Sequence, residues 1–219
     1  MNGLDRVRLI SLHDKVMSVE QALNLIQDGM VVGMSGFGGA GEAKTVPLAL
    51  AEKALQHPLK ITLATGASLG NKIDQKLGEA QALSRRYPYQ ADPTLRKAIN
   101  AGQVMYIDQH LSEVADQMRH HNLPHPNVAV IAAIAITEDG LIIPTGSCGN
   151  SANFADLADV VIVEIDNTID PVLEGTHDIY VAPSRPHRGP IPLTQSSDRI
   201  GEIGIRIPLE KIAAIVMND

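Results

Sequence analysis

The chain has 219 residues, 44% of them apolar, with no Trp, two Phe and four Tyr. That is room for one large α/β domain or two small ones, with a core of Ala, Val, Ile and Leu of the kind a parallel sheet needs when helices cover both its faces. A net charge of −7, scattered basic residues and few aromatics exclude a nucleic-acid surface, the cluster at 184–190 reads as a solvated loop, and no apolar run reaches the roughly 18–20 residues of a membrane span.

Along the chain, helical and extended patterns alternate. Residues 18–28 carry helical spacing at Ala22, Leu23 and Ile26, with Ser18 as N-cap and Gln21 three residues on. Residues 30–35 are a short apolar strand running into "SGFGGAG". A helix over 45–55 follows, with Thr45 as cap and Pro47 in the first turn, where a missing N–H does no harm. "KITLATG" at 60–66 is a strand ending in a second glycine turn. Short helices are expected at 71–80 and 92–100, and a third strand at 104–108. Residues 111–121 form a helix with Leu111, Val114 and Met118 on one side, and "VAVIAAIAI" at 128–136 is a fourth, buried strand. Asp139–Gly140 between two apolar runs signals a hairpin. Strand "LIIP" then opens into "TGSCGNS", with Asn150 or Ser151 capping the next helix, and a strand follows at 161–165. Residues 166–200 lack periodicity and read as a functional or interface arm, and 212–217 is a last buried strand.

This order implies an α/β fold, an open and mostly parallel sheet with helices on both faces, in one domain. The N-terminus has no signal-peptide core, and the single cysteine, Cys148, leaves no intramolecular disulfide and favours a reducing, cytoplasmic location. The eight His are dispersed without metal-ligand spacing, so no metal is expected.

Gly36, Gly38 and Gly41 spell G-x-G-x-x-G after a strand and before a helix, the dinucleotide-binding fingerprint. The fingerprint also needs a carboxylate at the end of the next strand to bond the ribose, and that strand ends in Thr65 and Gly66. A nicotinamide or flavin is therefore not expected. The loop retains its general use: glycines let the backbone approach a ligand closely and aim N–H groups at a phosphate, a carboxylate or a developing oxyanion. Three such loops, "SGFGGAG", "TGASLG" and "TGSCGNS", follow strands and should gather at one edge of the sheet, where open α/β sheets bind ligands. A set of tight turns with no ligand remains the alternative.

The segments "DGMVVGMSGFGGAGEAKTVPLALAEKA", "RRYPYQADPTLRKAIN", "AITEDGLIIPTGSCGNSANFADLADVVIVEI" and "EGTHDIYVAPSRPHRGPIPLT", in this order from about residue 16 onward, resemble the acetyl-CoA hydrolase/transferase family, and within it the succinate:acetate-type CoA-transferases. The resemblance implies a CoA-transferase or sugar-phosphate-isomerase-like fold. It also implies proteins of two similar α/β domains with the active site between them. A glutamate of the second domain attacks the acyl-CoA thioester, an acyl-glutamyl anhydride and a glutamyl-CoA thioester follow, and the acceptor carboxylate takes over the CoA. A hydrolase uses water instead. On this reading residues 1–219 are a single domain equivalent to the N-terminal one, inactive alone, with the C-terminal catalytic domain absent. The implied partners are an acyl-CoA, a small carboxylate and a C-terminal CoA-transferase domain or subunit; a homo-oligomer is compatible. No cofactor is bound permanently, and the coenzyme A thioester is a substrate.

By the same resemblance Ser35, Gly36, Phe37, Gly38, Gly39 and Gly41, the turn Gly66 and Ser68, the "PYQ" residues Tyr89 and Gln90, and Gly146, Ser147 and Asn150 would line the acyl or carboxylate pocket. Ala91 stands where relatives often carry Ser or Thr, and Ala43 where they commonly have Pro. No catalytic residue is assigned: Cys148 reads as a buried inert thiol, His177 as a structural hydrogen-bonder, and neither Glu42 nor Glu164 as a replacement nucleophile. Two rivals stay open. One is a non-catalytic domain that binds a small acid or a partner chain. The other is a sugar-phosphate isomerase, which would need acid–base carboxylates beside a phosphate loop.

Overall fold

The computed structural model describes residues 3–70 and 72–218, and its spine is the nine-residue apolar strand Val128–Ile136, buried along its whole length. The first position of the helix expected at 71–80 and both ends of the 1–219 domain lie outside the described residues. The strands are β1 (Val31–Met34), β2 (Ile61–Thr65), β3 (Leu83–Tyr87), β4 (Met105–Tyr106), β5 (Val128–Ile136), β6 (Ile142–Pro144), β7 (Val160–Asp166) and β8 (Ile212–Asn218). They form one sheet in the order β4-β3-β2-β1-β5-β7-β8, parallel throughout, with β6 pairing antiparallel to β5.

Alternation along β5 divides the core in two. Val128, Val130 and Ala132 pack with α1 (Val19–Ala22), α2 (Thr45–Gln56), α3 (Ile73–Glu79) and α4 (Pro93–Asn100). Ala129, Ile131 and Ala133 face α5 (Leu111–Arg119) and α6 (Ser151–Leu157). Helices thus cover both faces, as the period-2 pattern of fully buried strands requires. Each buried Val, Leu or Ile contributes about 1.5–3 kcal/mol. Gly33 in β1 has a packing reason: a Cβ there would lie 2.8 Å from the Phe154 ring, which rests on the strand.

Several expectations need correction. The helix of 18–28 is a single α-turn, Val19–Ala22, closed by a 3-10 turn at Leu23–Leu25, although the capping box of Ser18 and Gln21 forms. The strand at 104–108 shrinks to the two residues of β4, and the third strand is β3, whose Ser-Arg-Arg sequence hides it. Thr45 is the first helical residue of α2 rather than its cap. Neither Asn150 nor Ser151 caps α6 with its side chain. The Asp139–Gly140 turn does close the β5–β6 hairpin, with Gly140 at φ +85° and its N–H donating to Thr137 O.

That hairpin positions the third glycine loop. β1 pairs with β5 only as far as Met34↔Val130, and β5 runs six residues further. β6 folds back over this overhang, Ile136↔Ile142 to Ala133↔Pro144, and so ends level with the exits of β1 and β2. The arm after β7 has only a 3-10 turn, Pro171–Leu173, and an isolated bridge, Ile179↔Glu202. Arg119 holds it to α5 through Ala182 O at 2.9 Å, and Arg188 through Asp116 at 2.8 Å. Val172, Tyr180, Val181, Ile191 and Leu193 project from it, exposed.

Candidate functional site

The three glycine loops meet at the carboxyl edge of the sheet. In the first, Phe37 and Ala40 exchange backbone hydrogen bonds of 2.8 and 3.0 Å, so Gly38 and Gly39 are the centre of a two-residue turn. Their φ values, +59° and +91°, are both in the region a type I′ turn needs, which is why two glycines stand there. Gly38 N–H donates to Ser68 O at 3.0 Å, joining the first loop to the second. Gly66 has no space for a side chain: a Cβ would lie 2.5 Å from Gly36 O. Gly41 likewise abuts the third loop, its absent Cβ 2.4 Å from Ser147 Oγ, and Ser147 Oγ donates to Ala40 O at 2.8 Å. A Cβ on Gly149 would be 3.7 Å from Gly66 Cα.

The site residues named from sequence therefore occupy one place, at different depths. Phe37 is exposed at the loop tip, and Gly38, Gly39 and Gly146 are exposed beside it. Ser35 lies beneath, buried, its Oγ accepting Ala132 N–H at 2.9 Å. Ser68 Oγ accepts Ala91 N–H at 3.1 Å, which ties the second loop to the turn of Tyr89 and Gln90 and leaves the hydroxyl hydrogen to donate. Tyr89 is half exposed and Gln90 buried. Asn150 Nδ2 donates to Leu111 O at 3.4 Å, toward α5.

The helix after the fingerprint is closed to an anion. Glu164, on β7 and 1% exposed, accepts the N–H groups of Lys44 at 2.6 Å and Thr45 at 2.9 Å on Oε1, and of Val46 at 2.8 Å on Oε2. These are the amides a dinucleotide crossover offers to a pyrophosphate. Burial pushes the Glu164 carboxyl up, the three amides draw it down, and neighbouring Asp166 adds to the rise. Lys44 Nζ meets Asp166 at 2.9 Å. Glu164 is thus the cap of α2. Glu42, also buried, accepts Gly70 N–H at 3.1 Å and ties the first loop to the second.

A buried pair that sequence reasoning passed over holds the second loop. Arg86 in β3 is 0% exposed and places all five N–H groups. Nε and Nη2 reach Asp74 at 2.9 and 3.1 Å, Nη1 reaches Thr65 Oγ1 and Tyr87 O at 2.8 Å each, and Nη2 reaches Ala67 O at 3.1 Å. Thr65 Oγ1 donates to the same Ala67 O, and Asp74 accepts Leu69 N–H at 2.9 Å. Arginine suits this position because its planar fork bonds a carboxylate and carbonyls together. The available signal was an arginine at an inward position of an extended segment, in "SRRYPYQ".

Buried polar atoms without a partner collect at the same edge. Among the described residues these include Tyr87 Oη, Gln90 Oε1, Gln109 Nε2, Thr145 Oγ1 and Ser151 Oγ, which belong to the exits of β3, β4 and β6. Each such atom costs about 1–3 kcal/mol unless something bonds it. Beside them a cleft of about 500 Å³ is lined by Tyr89, Asp108, Gln109, His110 and Leu111. Burial pushes the Cys148 thiol up, against nucleophilic use, and His177 Nε2 bonds Thr145 O at 2.8 Å, pinning the arm to the third loop. Among the described residues no three His, Cys, Asp or Glu are grouped to hold a metal, and no helix is long and apolar enough to cross a membrane.

Comparison with known proteins adds a consistent group of relatives. Residues 1–216 match the model of the acetyl-CoA hydrolase/transferase N-terminal domain. The chain is 43% identical to the succinyl-CoA:acetate CoA-transferase of Clostridium kluyveri over 98% of its own length and 40% of that protein's. It is 38% identical to an acetyl-CoA hydrolase of Schizosaccharomyces pombe over 88% of this chain and 39% of that one. The fold superposes on RipA from Yersinia pestis with a TM-score of 0.66 at 16% identity, covering 95% of this chain and 43% of RipA. The chain spans about 40% of the length of the curated relatives it matches.

Proposed function

The chain belongs to the acetyl-CoA hydrolase/transferase family as its N-terminal domain, and from that premise we propose that it supplies the carboxylate-binding half of an acyl-CoA:carboxylate CoA-transferase or acetyl-CoA hydrolase. In this reading a coenzyme A thioester and a small carboxylate are the substrates. The nucleophilic carboxylate comes from a second domain or subunit, and this chain is inactive alone.

The observation that carries the reading is the interlock of three glycine loops at one sheet edge, Gly66 against Gly36 O and Gly41 against Ser147. Interlocked backbone is rigid, and rigid N–H and O–H groups stabilise a carboxylate or a developing oxyanion without reorganising. The chain's own tempting carboxylates serve structure. Glu164 caps a helix with both oxygens, and Glu42 joins two loops. The exposed apolar side chains of the arm support a second domain as a partner of this chain.

The test is acetyl-CoA turnover by the purified chain with succinate or water as acceptor, followed by the mass of the intact chain. The expected result is no turnover and no covalent CoA adduct, with activity appearing when a C-terminal family domain is added. Turnover with an adduct on one of these 219 residues would overturn the assignment of roles.

A further inference from the structure

We infer that residues 183–198 of the arm form a lid, hinged on a fixed neck and held shut by a single carboxylate, Asp116. From Arg185 to Ser197 every residue is exposed, so no apolar anchor keeps this segment down. Among the described residues, the hydrogen bonds and ion pairs that tie Arg185–Ser197 to the body of the protein end on Asp116 of α5. Arg188 Nη2 donates to Asp116 Oδ1 at 2.8 Å, and Arg185 Nε approaches Oδ2 at 3.6 Å. Arg119, from α5 itself, stands 3.6 Å from Oδ1. One carboxylate, 17% exposed, thus holds three guanidiniums together. Glu113 and His120 line the same groove and, among the described residues, make no ion pair with the lid.

The neck is built differently. Ile179 and Glu202 exchange backbone hydrogen bonds of 2.8 and 3.0 Å, and Gly201 packs so closely that a Cβ on it would lie 2.1 Å from Ile179 O. Asp178 accepts the N–H groups of Gly201 at 2.7 Å and Ile200 at 3.2 Å, and Arg199 Nη1 donates to Gly175 O at 3.0 Å and His177 O at 3.1 Å. His177 Nε2 bonds Thr145 O, so the hinge is fixed to the third glycine loop. A loop closed at its neck in this way swings without disturbing the sheet, and only the latch must break. Neutralising Asp116 removes more than its bonds. It leaves three like charges around one point, and their repulsion drives the lid outward. Salt acts in the same direction, since the screening length falls from about 20 Å at about 20 mM to about 4 Å at about 0.5 M.

Limited proteolysis of the full chain reads the population of the open lid. Trypsin does not cut between Arg185 and Pro186, and to cut after Arg188 it must take that side chain away from Asp116. Chymotrypsin cuts after Leu193, which needs the lid backbone and no arginine. Arg199 and Tyr180, in the neck, are the reference sites within the same two digests. In Asp116→Asn both lid cuts are expected to quicken roughly 5–50-fold relative to the neck cuts, and Asp116→Glu should restore most of the protection. In the unmodified chain, raising NaCl from about 20 mM to about 0.5 M should raise the same ratios roughly 2–5-fold. Faster cutting after Arg188 alone overturns the lid, because only a side chain has then come free. Equal quickening at the neck overturns the hinge. Ratios that salt leaves unchanged in the unmodified chain overturn the latch whether or not the variants fold.

Discussion

Replacing Arg86 by Met should be among the most damaging single changes in this chain, and the structure sets its size. Arg86 and Asp74 are 0% and 1% exposed, and the arginine makes two bonds to the carboxylate and three to Thr65, Ala67 and Tyr87. Methionine fills similar space and supplies no donor. Asp74 then stays buried with its charge uncompensated, a loss of about 3–5 kcal/mol. For a chain of this length that corresponds to a fall in Tm of roughly 6–20 °C. The Lys76–Glu79 pair, 51% and 41% exposed, is the control; Lys76→Ala should change stability by no more than about 0.5 kcal/mol. Urea unfolding by circular dichroism measures both. The double change Arg86→Met with Asp74→Leu should recover part of the loss, because removing both charges is far cheaper than stranding one. If Arg86→Met loses less than about 1 kcal/mol, the pair does not hold the second loop in the way described here.

Gly66→Ala and Gly38→Ala should separate, because Gly66 faces backbone at 2.5 Å while Gly38, at φ +59°, has nothing within 4 Å. The first is expected to lose about 1–3 kcal/mol and to shift the amide resonances of the first loop, and the second to lose about 1 kcal/mol from its φ alone; equal losses would deny the close contact of the loops. Burial pushes the Tyr87 phenol up to about 12. The folded chain therefore keeps a proton that the unfolded chain, near 10, gives up, and stability falls as pH rises from about 10 to about 12. Phenolate absorbance of the folded chain should show a late step that Tyr87→Phe removes, and a profile unchanged by that substitution would contradict the burial.

Much of the fold was legible because fully buried parallel strands leave a plain mark. The run at 128–136 could be little else, and Asp139–Gly140 announced its turn. β3 was not legible, since its Ser84 and Arg85 are half-buried or exposed and Arg86 is a charge whose partners come from β2, its following loop and α3. The same gap hid the site's main support. Asp74 is twelve residues from Arg86 in sequence, and nothing local says that the two touch.

The glycine fingerprint marks the boundary between what the string of residues determined and what the folded chain decided. By itself the sequence determined that backbone would turn tightly after β1 and β2, that a hairpin would follow β5, and that no carboxylate stood ready for a ribose. It did not determine what those turns face. Tertiary structure decided that Gly38–Gly39 form a hairpin tip, that Gly66 makes room for Gly36 O and Gly41 for Ser147, and that Glu164, more than a hundred residues on, takes the helix amides. Turn chemistry is a property of adjacent residues, whereas occupancy of a helix N-terminus depends on which distant strand ends beside it.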